Sequence, residues 1–373
     1  MALQVTWQEA LAWRLERHLL NPVGASSVED VVRRLCGVQA QVASSAELAI
    51  RVRQSKSKAG EVARALSDGR LIKTWAMRVT LHLLTPEEAG NYLSLMAAGR
   101  WWETPRWQRV FGVTPRQMDE LREIVGEILG DRALTREELI AEVTQRSGFE
   151  HIGEALKSGW GVVLKPLAWQ GDLVFGPSRG TRVTFMRPEV ASTRWAGVPE
   201  PDAAWPAVIL AYLGALGPAT IENFSAWLSR GTISKRQLRS WFAELGDRLT
   251  VVEVDGESRY IPSEHVDALA ATKRASTVRL LAGFDQWVLG PGTDDPNIVP
   301  TAHRRAVSMQ AGWIAPVVVV GGMVSGTWEL KGDRVDVAWF TEAGKATERK
   351  LEAEVARLSK IVGHELSTDV GDR

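Results

Sequence analysis

"PATIENFSAWLSRG", residues 218–231, is the segment from which the fold can be predicted. Its proline near the start and its closing glycine are typical helix boundaries. The apolar segment 201–217 predicts a helix before it, and "SKRQLRSWFAELG" at 234–246 predicts a helix after it, with the apolar residues on one face. "RLTVVEVDGESRYIP" at 248–262 then predicts two strands joined by Asp-Gly, a favoured hairpin turn. Three helices and a hairpin are typical of a winged helix, which we place at residues 199–272.

The same order of elements recurs upstream. Residues 113–198 predict two helices, a long helix over about 150–170 and a hairpin in "DLVFGPSRGTRVTFMRP" at 172–188. The first 112 residues repeat the pattern less cleanly, with predicted helices at 6–20 and near 27–36, 44–54 and 60–68, before the extended segment 71–84.

Beyond residue 273 the sequence becomes rich in predicted strands, and 342–363 predicts a helix. Repetition at this scale is strong evidence for tandem modules. Because the modules combine helices with strands, we predict an α+β fold. It consists of winged helices at 1–112, 113–198 and 199–272, followed at 273–373 by a small C-terminal β domain with a terminal helix.

Net charge, cysteine content, histidine spacing and apolar runs limit the partners, metals and compartments that we expect for this protein. The formal net charge is zero, so a polyanion must be held by local basic patches and not by an overall positive field. The single cysteine, Cys36, excludes an intramolecular disulfide and indicates a reducing compartment, and it is expected as a small buried hydrophobe. Six histidines are scattered without ligand spacing, so we expect no metal. We find no signal peptide and no apolar run of about 20 residues, so we expect a cytoplasmic protein without membrane association.

Two neutral amides lie in "GVQAQVASSAEL", residues 37–48, with no acidic residue beside them. Gly37 is expected to end one helix, and Ser44 with Glu47 to form a capping box for the next. Gln39 and Gln41 therefore lie in a short linker. Residues two apart in extended chain project to the same side, so both amides can be aimed at one point. The alternative is that they only cap neighbouring backbone groups.

Two further groups of residues are candidates for contacts with DNA. The alternation within 71–84 predicts a half-buried strand, on which Arg78, Thr80 and His82 share a polar face. That face either is merely solvated or lines a site beside the glutamines. Two basic clusters are candidate phosphate ligands, although each is as consistent with a solvated surface. The first consists of Arg51, Arg53, Lys56, Lys58 and Lys73. The second consists of Lys235, Arg236 and Arg239, on the last helix of the third repeat.

Four segments resemble the AlkZ/YcaQ-type bacterial winged-helix DNA glycosylases, in order and over nearly the whole chain. They are "RLCGVQAQVASSAELAIRVR" (34–53), "LIKTWAMRVTLHLL" (71–84), "LLAGFDQWVLG" (280–290) and "VVVVGGMVSGTWEL" (317–330). The resemblance implies a C-shaped arrangement of three winged helices with a C-terminal β domain. It also implies a monofunctional DNA N-glycosylase that excises alkylated purines, chiefly N7-alkylguanine, and in some members bulky genotoxin adducts or interstrand crosslinks, as repair or self-resistance.

The catalytic motif of that family is Gln, a variable apolar residue, then Gln or Asp. Gln39-Ala40-Gln41 is similar to its two-glutamine form, which lacks the aspartate of ordinary general-base catalysis. An amide carbonyl can only orient water and its NH₂ group can only donate hydrogen bonds. The pair therefore suits a base that alkylation has already made cationic, because such a leaving group departs neutral and needs no acid.

The partner implied is double-stranded DNA with alkylated purines, bound by a monomer without a cofactor. Two other classes of protein stay open at this stage. A non-catalytic winged-helix regulator would give a sequence-specific footprint and no abasic product, and a genotoxin-sequestering protein would bind the free compound without DNA.

Overall fold

The computed structural model describes residues 2–24, 27–341 and 348–372. The chain is α+β, as predicted. It divides into two compact units, which we call the main unit, residues 1–61 with 209–373, and the inserted unit, residues 62–208. The division into domains 1–112, 113–198, 199–272 and 273–373 stays a prediction.

The strands have the following bounds: β1 Gln4–Val5, β2 Val38–Gln39, β3 Ile72–Trp75, β4 Leu81–Leu84, β5 Leu134–Thr135, β6 Val174–Arg179, β7 Arg182–Met186, β8 Leu249–Val254, β9 Glu257–Pro262, β10 Val278–Leu281, β11 Val317–Val320, β12 Met323–Lys331, β13 Arg334–Trp339 and β14 Ser367–Asp372.

The α-helices have the following bounds: α1 Trp7–Arg17, α2 Val28–Arg34, α3 Ala43–Arg51, α4 Glu61–Ser67, α5 Pro86–Ala97, α6 Pro105–Phe111, α7 Pro115–Leu129, α8 Arg136–Thr144, α9 Gly153–Lys157, α10 Leu164–Trp169, α11 Pro188–Ala191, α12 Pro201–Leu216, α13 Ile221–Ser229, α14 Lys235–Glu244, α15 Val266–Ala271, α16 Gln286–Leu289, α17 Arg304–Val307 and α18 Glu348–Val362.

The third predicted winged helix contains its expected elements, α12, α13, α14 and the β8–β9 hairpin. Thr220 and Asn223 form a capping box at the start of α13. The hairpin turns at Asp255 and Gly256, both at positive φ (47° and 84°), which a two-residue turn between twisted strands requires. β1 adds to this hairpin as a parallel strand beside β8.

The C-terminal part of the main unit is a five-stranded sheet in the order β10-β11-β12-β13-β14. Apolar residues of α18, among them Leu351, Val355 and Leu358, pack on it with Trp328 and Trp339. The helix predicted over 342–363 is observed at 348–362, and residues 342–347 lie outside the described residues.

The inserted unit contains a sheet in the order β4-β3-β6-β7-β5. Its β6–β7 hairpin lies where the second repeat predicts one. The single long helix predicted over 150–170 is wrong, since the structure has α9 and α10 separated by a turn. The turn contains Gly161 at φ +63°, where an added Cβ would lie 2.5 Å from Cζ2 of Trp75. Close packing on a tryptophan therefore overrides local helix propensity here.

The extended segment predicted over 71–84 is a hairpin and not one strand. β3 and β4 pair antiparallel, with Thr74 opposite His82. Between them Arg78 and Val79 have positive φ values of 55° and 66°, and the amide of Ala76 donates to the carbonyl of Thr80 over 2.9 Å. The predicted polar face of Arg78, Thr80 and His82 is thereby divided, because His82 is fully buried whereas Arg78 and Thr80 lie in the half-exposed turn.

Within the described part of the chain, no helix is both long and apolar enough to cross a membrane.

Candidate active site

The linker that carries the two glutamines begins where predicted. Gly37 has φ +97° and its amide donates to the carbonyl of Val32 over 2.9 Å, although the left-handed position directly after the helix cap is taken by Cys36, at φ +56°. The predicted capping box of Ser44 and Glu47 is wrong. α3 starts at Ala43 without a side-chain cap, and the Glu47 carboxylate instead accepts from the amide of Gly60 over 2.8 Å.

The two amides contact each other. Nε2 of Gln39 donates to Oε1 of Gln41 over 2.7 Å. Gln39, in β2, is 5% exposed, whereas Gln41 is exposed. Extended backbone thus places both side chains on the same side, with one amide anchored in the protein and the other at its surface.

A buried ion pair fixes the helix that follows the glutamines. The guanidinium of Arg53 makes two bonds of 2.8 Å to the carboxylate of Asp285, and both side chains are 0% exposed. Nη1 of Arg53 also donates to the carbonyl of Ala49 near the end of α3. A bidentate, charge-assisted pair of this kind holds both partners in one geometry.

The helix that precedes the glutamines is tied to the same place. The side-chain amide of Gln286 donates over 3.3 Å to the carbonyl of Leu35, directly after α2, while Asp285 accepts from the amide of Trp287 and so caps α16. Gln286 therefore tethers the chain just before the linker, and Asp285 tethers the C-terminal end of α3, the helix that follows the linker. Neither role was predicted from the sequence, where the only signal is an aspartate before a short helix.

Of the predicted DNA ligands in the main unit, Arg53 is buried and ion-paired, so its side chain cannot contact DNA in this structure. Arg51 is half-buried and donates to Oγ of Ser57 and to the carbonyl of Ile361. The other predicted ligands in this unit are all exposed: Lys56, Lys58, Lys235, Arg236 and Arg239.

The predicted ligands in the inserted unit differ in the same way. His82 is 0% exposed, and burial, with the nearby Arg78 guanidinium, lowers its pKa to about 3. A neutral buried imidazole cannot hold a phosphate, so that part of the prediction is wrong. Lys73 is half-buried with its ammonium 5.6 Å from the ring centroid of Phe175, and burial lowers its pKa. Arg78 and Thr80 are half-exposed in the turn between β3 and β4.

The described residues contain no group of three His, Cys, Asp or Glu side chains that could hold a metal ion. Cys36 takes part in no disulfide and is 1% exposed. It occupies the core as a small hydrophobe, as its sequence context predicts.

Three comparisons agree on the relationship of this chain to known proteins. A family model described as DNA glycosylase AlkZ-like matches residues 32–361. An interstrand DNA cross-link repair glycosylase from Streptomyces sahachiroi is 49% identical over 362 residues, which are 97% of this chain and 98% of that protein. The solved structure of the Streptomyces sahachiroi DNA glycosylase AlkZ matches with a TM-score of 0.96 at 48% identity, and the match covers 99% of this chain and 100% of that one.

These matches confirm the resemblance inferred from the four sequence segments. They also decide between the classes of protein left open by the sequence, since both relatives are glycosylases, which are hydrolytic enzymes acting on DNA, and not regulators. The chain belongs to the AlkZ-like family of DNA glycosylases.

Proposed function

We propose that this enzyme hydrolyses the N-glycosidic bond of alkylated purines, chiefly N7-alkylguanine, and that Gln39 and Gln41 are its catalytic residues. The observation that carries the proposal is the 2.7 Å contact between the two amides, of which one is buried and one is exposed. It joins a fixed side chain to one that can reach DNA.

The geometry suits the orientation of a water molecule. A carbonyl oxygen has two lone pairs, so Oε1 of Gln41 can accept from Gln39 and still accept from water. The proton donated by Gln39 fixes the direction of the Gln41 carbonyl. A water held there would be placed for attack on C1′ of the damaged nucleotide, where positive charge develops as the bond to the base breaks.

Neither amide can supply a proton or a full negative charge, and this restricts the substrate. An unmodified purine needs protonation to leave, whereas a base alkylated at N7 already carries positive charge and leaves as a neutral molecule. The pair should therefore discriminate by the reactivity of the lesion. Because the pair offers no amine nucleophile for strand cleavage, the expected product is an intact abasic site.

The position of Gln41 at the surface favours large lesions as well. Many glycosylases rotate the damaged nucleotide into a tight pocket, which excludes bulky or crosslinked bases. An exposed catalytic amide requires no such enclosure. The name of the Streptomyces relative, an interstrand DNA cross-link repair glycosylase, supports extending the proposal to crosslinks and bulky N7 adducts.

The decisive experiment compares the wild-type enzyme with Gln39→Ala/Gln41→Ala on duplex DNA that contains N7-methylguanine, scored by alkali-induced strand breaks. We expect excision to fall by at least about a hundredfold, in the range typical of positioned acid–base and polarising groups. Gln8→Ala removes an amide at the surface of α1 and should leave excision unchanged. Full excision by the double variant would refute the catalytic assignment.

A second arm addresses substrate range with the wild-type enzyme alone. Duplexes carrying N7-methylguanine, a bulky N7 adduct or an N7–N7 interstrand crosslink are compared at equal concentration. Excision of the first without the other two would confine the proposal to simple alkylation. Release of unmodified guanine would contradict the argument that the lesion supplies the charge.

A further inference from the structure

We infer that the cleft between the first turns of α18 and the outer edge of β10, which we call the cationic cleft, binds a phosphate group. The cleft has a volume of about 340 Å³ and belongs entirely to the main unit. Its lining includes Ser276, Thr277, Val278, Arg279, Lys350 and Arg357. The inference does not depend on the proposed function, because neither the glutamines nor a damaged base takes part in it.

The lining of the cationic cleft carries an excess of positive charge. Arg279, Lys350 and Arg357 line it, and Glu354 is the one acidic residue among its described lining residues. The carboxylate of Glu354 is 3% exposed and accepts hydrogen bonds from both guanidinium groups and from the amide of Leu280. Three positive charges against this one saturated carboxylate leave the cleft with a formal charge of +2.

The guanidinium group of Arg279 is held in place by neighbours that do not fully neutralise it. Its Nε donates to the carbonyl of Leu20 over 2.7 Å, while Nη1 donates to the carbonyl of Val278 over 2.7 Å and to Glu354 over 3.3 Å. No residue that the structure describes accepts from Nη2. Burial lowers the pKa of Arg279 in spite of the nearby carboxylate. An anion in the cleft would offset this cost of burying the charge.

The edge of β10 supplies a backbone donor. β10 is the outermost strand of its sheet, and the amide of Leu280 points away from β11, since it donates to Glu354 over 3.2 Å. Because this direction alternates along an antiparallel strand, the amide of Val278 points to the same outer edge. Val278 is 3% exposed, so its amide lies largely away from bulk water and is available to a ligand in the cleft.

Lys350 and two hydroxyl groups complete the set of donors. Nζ of Lys350 donates to the carbonyl of Ser276 over 2.8 Å and to its Oγ over 2.7 Å. The third ammonium proton and the hydroxyl proton of Ser276 remain available. Thr277 is half-exposed beside them and adds a second hydroxyl group to the lining. Guanidinium, ammonium, hydroxyl and amide donors therefore surround one cleft.

A phosphate group suits this set of donors. Its tetrahedral oxygens accept from several directions at once, and guanidinium groups bind them with good geometry. The dianion of free phosphate or of a phosphomonoester balances the formal charge of +2, whereas a backbone phosphodiester of DNA offers the same oxygens with half of that charge. The shared ligand chemistry is the phosphoryl oxygen, and the experiment separates its sources.

The cationic cleft is separate from the candidate active site. Nη1 of Arg357 donates over 3.0 Å to the carbonyl of Val52, directly after α3, whereas the glutamine linker precedes that helix. α3 has nine residues, which corresponds to about 13 Å along its axis. Phosphate bound in the cleft therefore lies beyond the opposite end of α3 from the glutamines.

The test is the melting temperature of the full chain at increasing concentrations of inorganic phosphate, with sodium chloride holding the ionic strength constant at neutral pH. A ligand that binds only the folded chain raises the melting temperature, and the dependence on concentration gives its apparent affinity. Lys350→Ala should weaken that affinity at least about tenfold, in the range for one charge-assisted hydrogen bond. Thr277→Val retains the shape of the side chain and should weaken it about fivefold.

Lys360→Ala is the matched control. Lys360 is exposed on the same helix, α18, and lies about 15 Å further along its axis, so the variant loses the same charge outside the cleft. It should respond to phosphate as the wild type does. Phosphate also stabilises folded proteins in general, because it is excluded from their surfaces. All variants share that effect, so the difference between Lys350→Ala and Lys360→Ala reports the cleft.

A second arm identifies the source of the phosphate group. The wild type and the two lysine variants are titrated with an undamaged duplex over a range of salt concentrations. If the DNA backbone fills the cleft, Lys350→Ala lowers the slope of log affinity against log salt by about 0.9 and Lys360→Ala does not. If free phosphate or a phosphomonoester fills it, both slopes equal that of the wild type while the phosphate responses differ.

Equal phosphate responses together with equal salt slopes in the wild type and a folded Lys350→Ala variant would overturn the inference. An equally large response of the wild type to acetate at the same ionic strength would also overturn it, because the cleft would then select carboxylates as well. Near-ultraviolet circular dichroism checks folding. Neither arm measures excision of N7-methylguanine, so failure here leaves the proposed function intact.

Discussion

Arg53 and Asp285 show how burial changes what an arginine does. The sequence places Arg53 in a basic cluster, yet its guanidinium is fully buried against a carboxylate. Removing one partner of such a pair leaves an uncompensated charge in the interior. The role of Arg53 is therefore to fix α3, and with it the glutamine linker, and not to bind phosphate.

We predict that Arg53→Ala lowers the free energy of unfolding by about 3–5 kcal/mol, measured by urea denaturation, because Asp285 is left buried and unpaired. The nearby Lys56 is exposed, and Lys56→Ala should change stability by less than about 0.5 kcal/mol. A stable Arg53→Ala variant with a smaller salt dependence of DNA binding would restore Arg53 as a phosphate ligand.

His82 predicts an acid sensitivity. Its pKa falls from 6.5 to about 3 on folding, so the unfolded chain takes up a proton first as the pH is lowered. The contribution of neutral His82 to the free energy of unfolding is therefore complete above about pH 6.5. It is lost as the pH falls towards 3, and the loss is at most on the order of 5 kcal/mol. The pKa of His18 is also lowered by burial and acts in the same direction.

The measurement is the melting temperature between pH 7 and pH 4 for the wild type and for His82→Asn, whose side-chain amide can replace Nδ1 as donor to the carbonyl of Thr80. The variant should lose less of its melting temperature across that range. Parallel pH profiles for the two proteins would show that His82 does not titrate with unfolding.

At the scale of elements, the turn between α9 and α10 depends on Gly161. An alanine there would combine a positive φ with a Cβ 2.5 Å from the buried Trp75 ring. We predict that Gly161→Ala lowers the free energy of unfolding by about 2–4 kcal/mol, measured by urea denaturation. Gly159→Ala, where nothing lies within 4 Å, should be nearly neutral and is the matched control. Equal effects would remove the packing explanation.

Helix starts and turns that depend on residues close together in the chain could be predicted from the sequence. Thr220 with Asn223 and Asp255-Gly256 define a helix start and a hairpin turn through contacts a few residues apart. The contact of Gln39 with Gln41 follows in the same way from their spacing in extended chain.

Elements shaped by distant contacts could not be predicted. The turn that replaces a long helix depends on Trp75, far from Gly161 in sequence. The hairpin within 71–84 turns at two non-glycine residues with positive φ, which no turn signal announces. Asp285 lies 232 residues from the arginine it binds, so neither its role nor the burial of Arg53 was visible.

At the scale of the whole molecule, a net charge of zero means that DNA binding depends on local patches. The exposed cluster of Lys235, Arg236 and Arg239 at the start of α14 is such a patch. It lies in the third predicted winged helix, on the helix before the wing.

We predict that replacing all three with alanine lowers the slope of log affinity against log salt by up to about 0.9 for each phosphate that the patch neutralises. The variant should weaken binding to damaged and undamaged duplexes equally, measured by fluorescence anisotropy. Lys331→Ala is the control, because Lys331 is exposed but already paired with Glu329 and Asp336. An unchanged slope in the triple variant would place the duplex elsewhere.

The unequal exposure of the two glutamines also has a consequence for altering the enzyme. Position 39 is nearly fully buried, so most replacements there disturb the packing around it and lower stability as well as activity. Position 41 faces solvent and accepts side chains of different length and charge without disturbing the core. Single replacements at the outer position should therefore separate a loss of catalysis from a loss of stability, which replacements at the inner position cannot do.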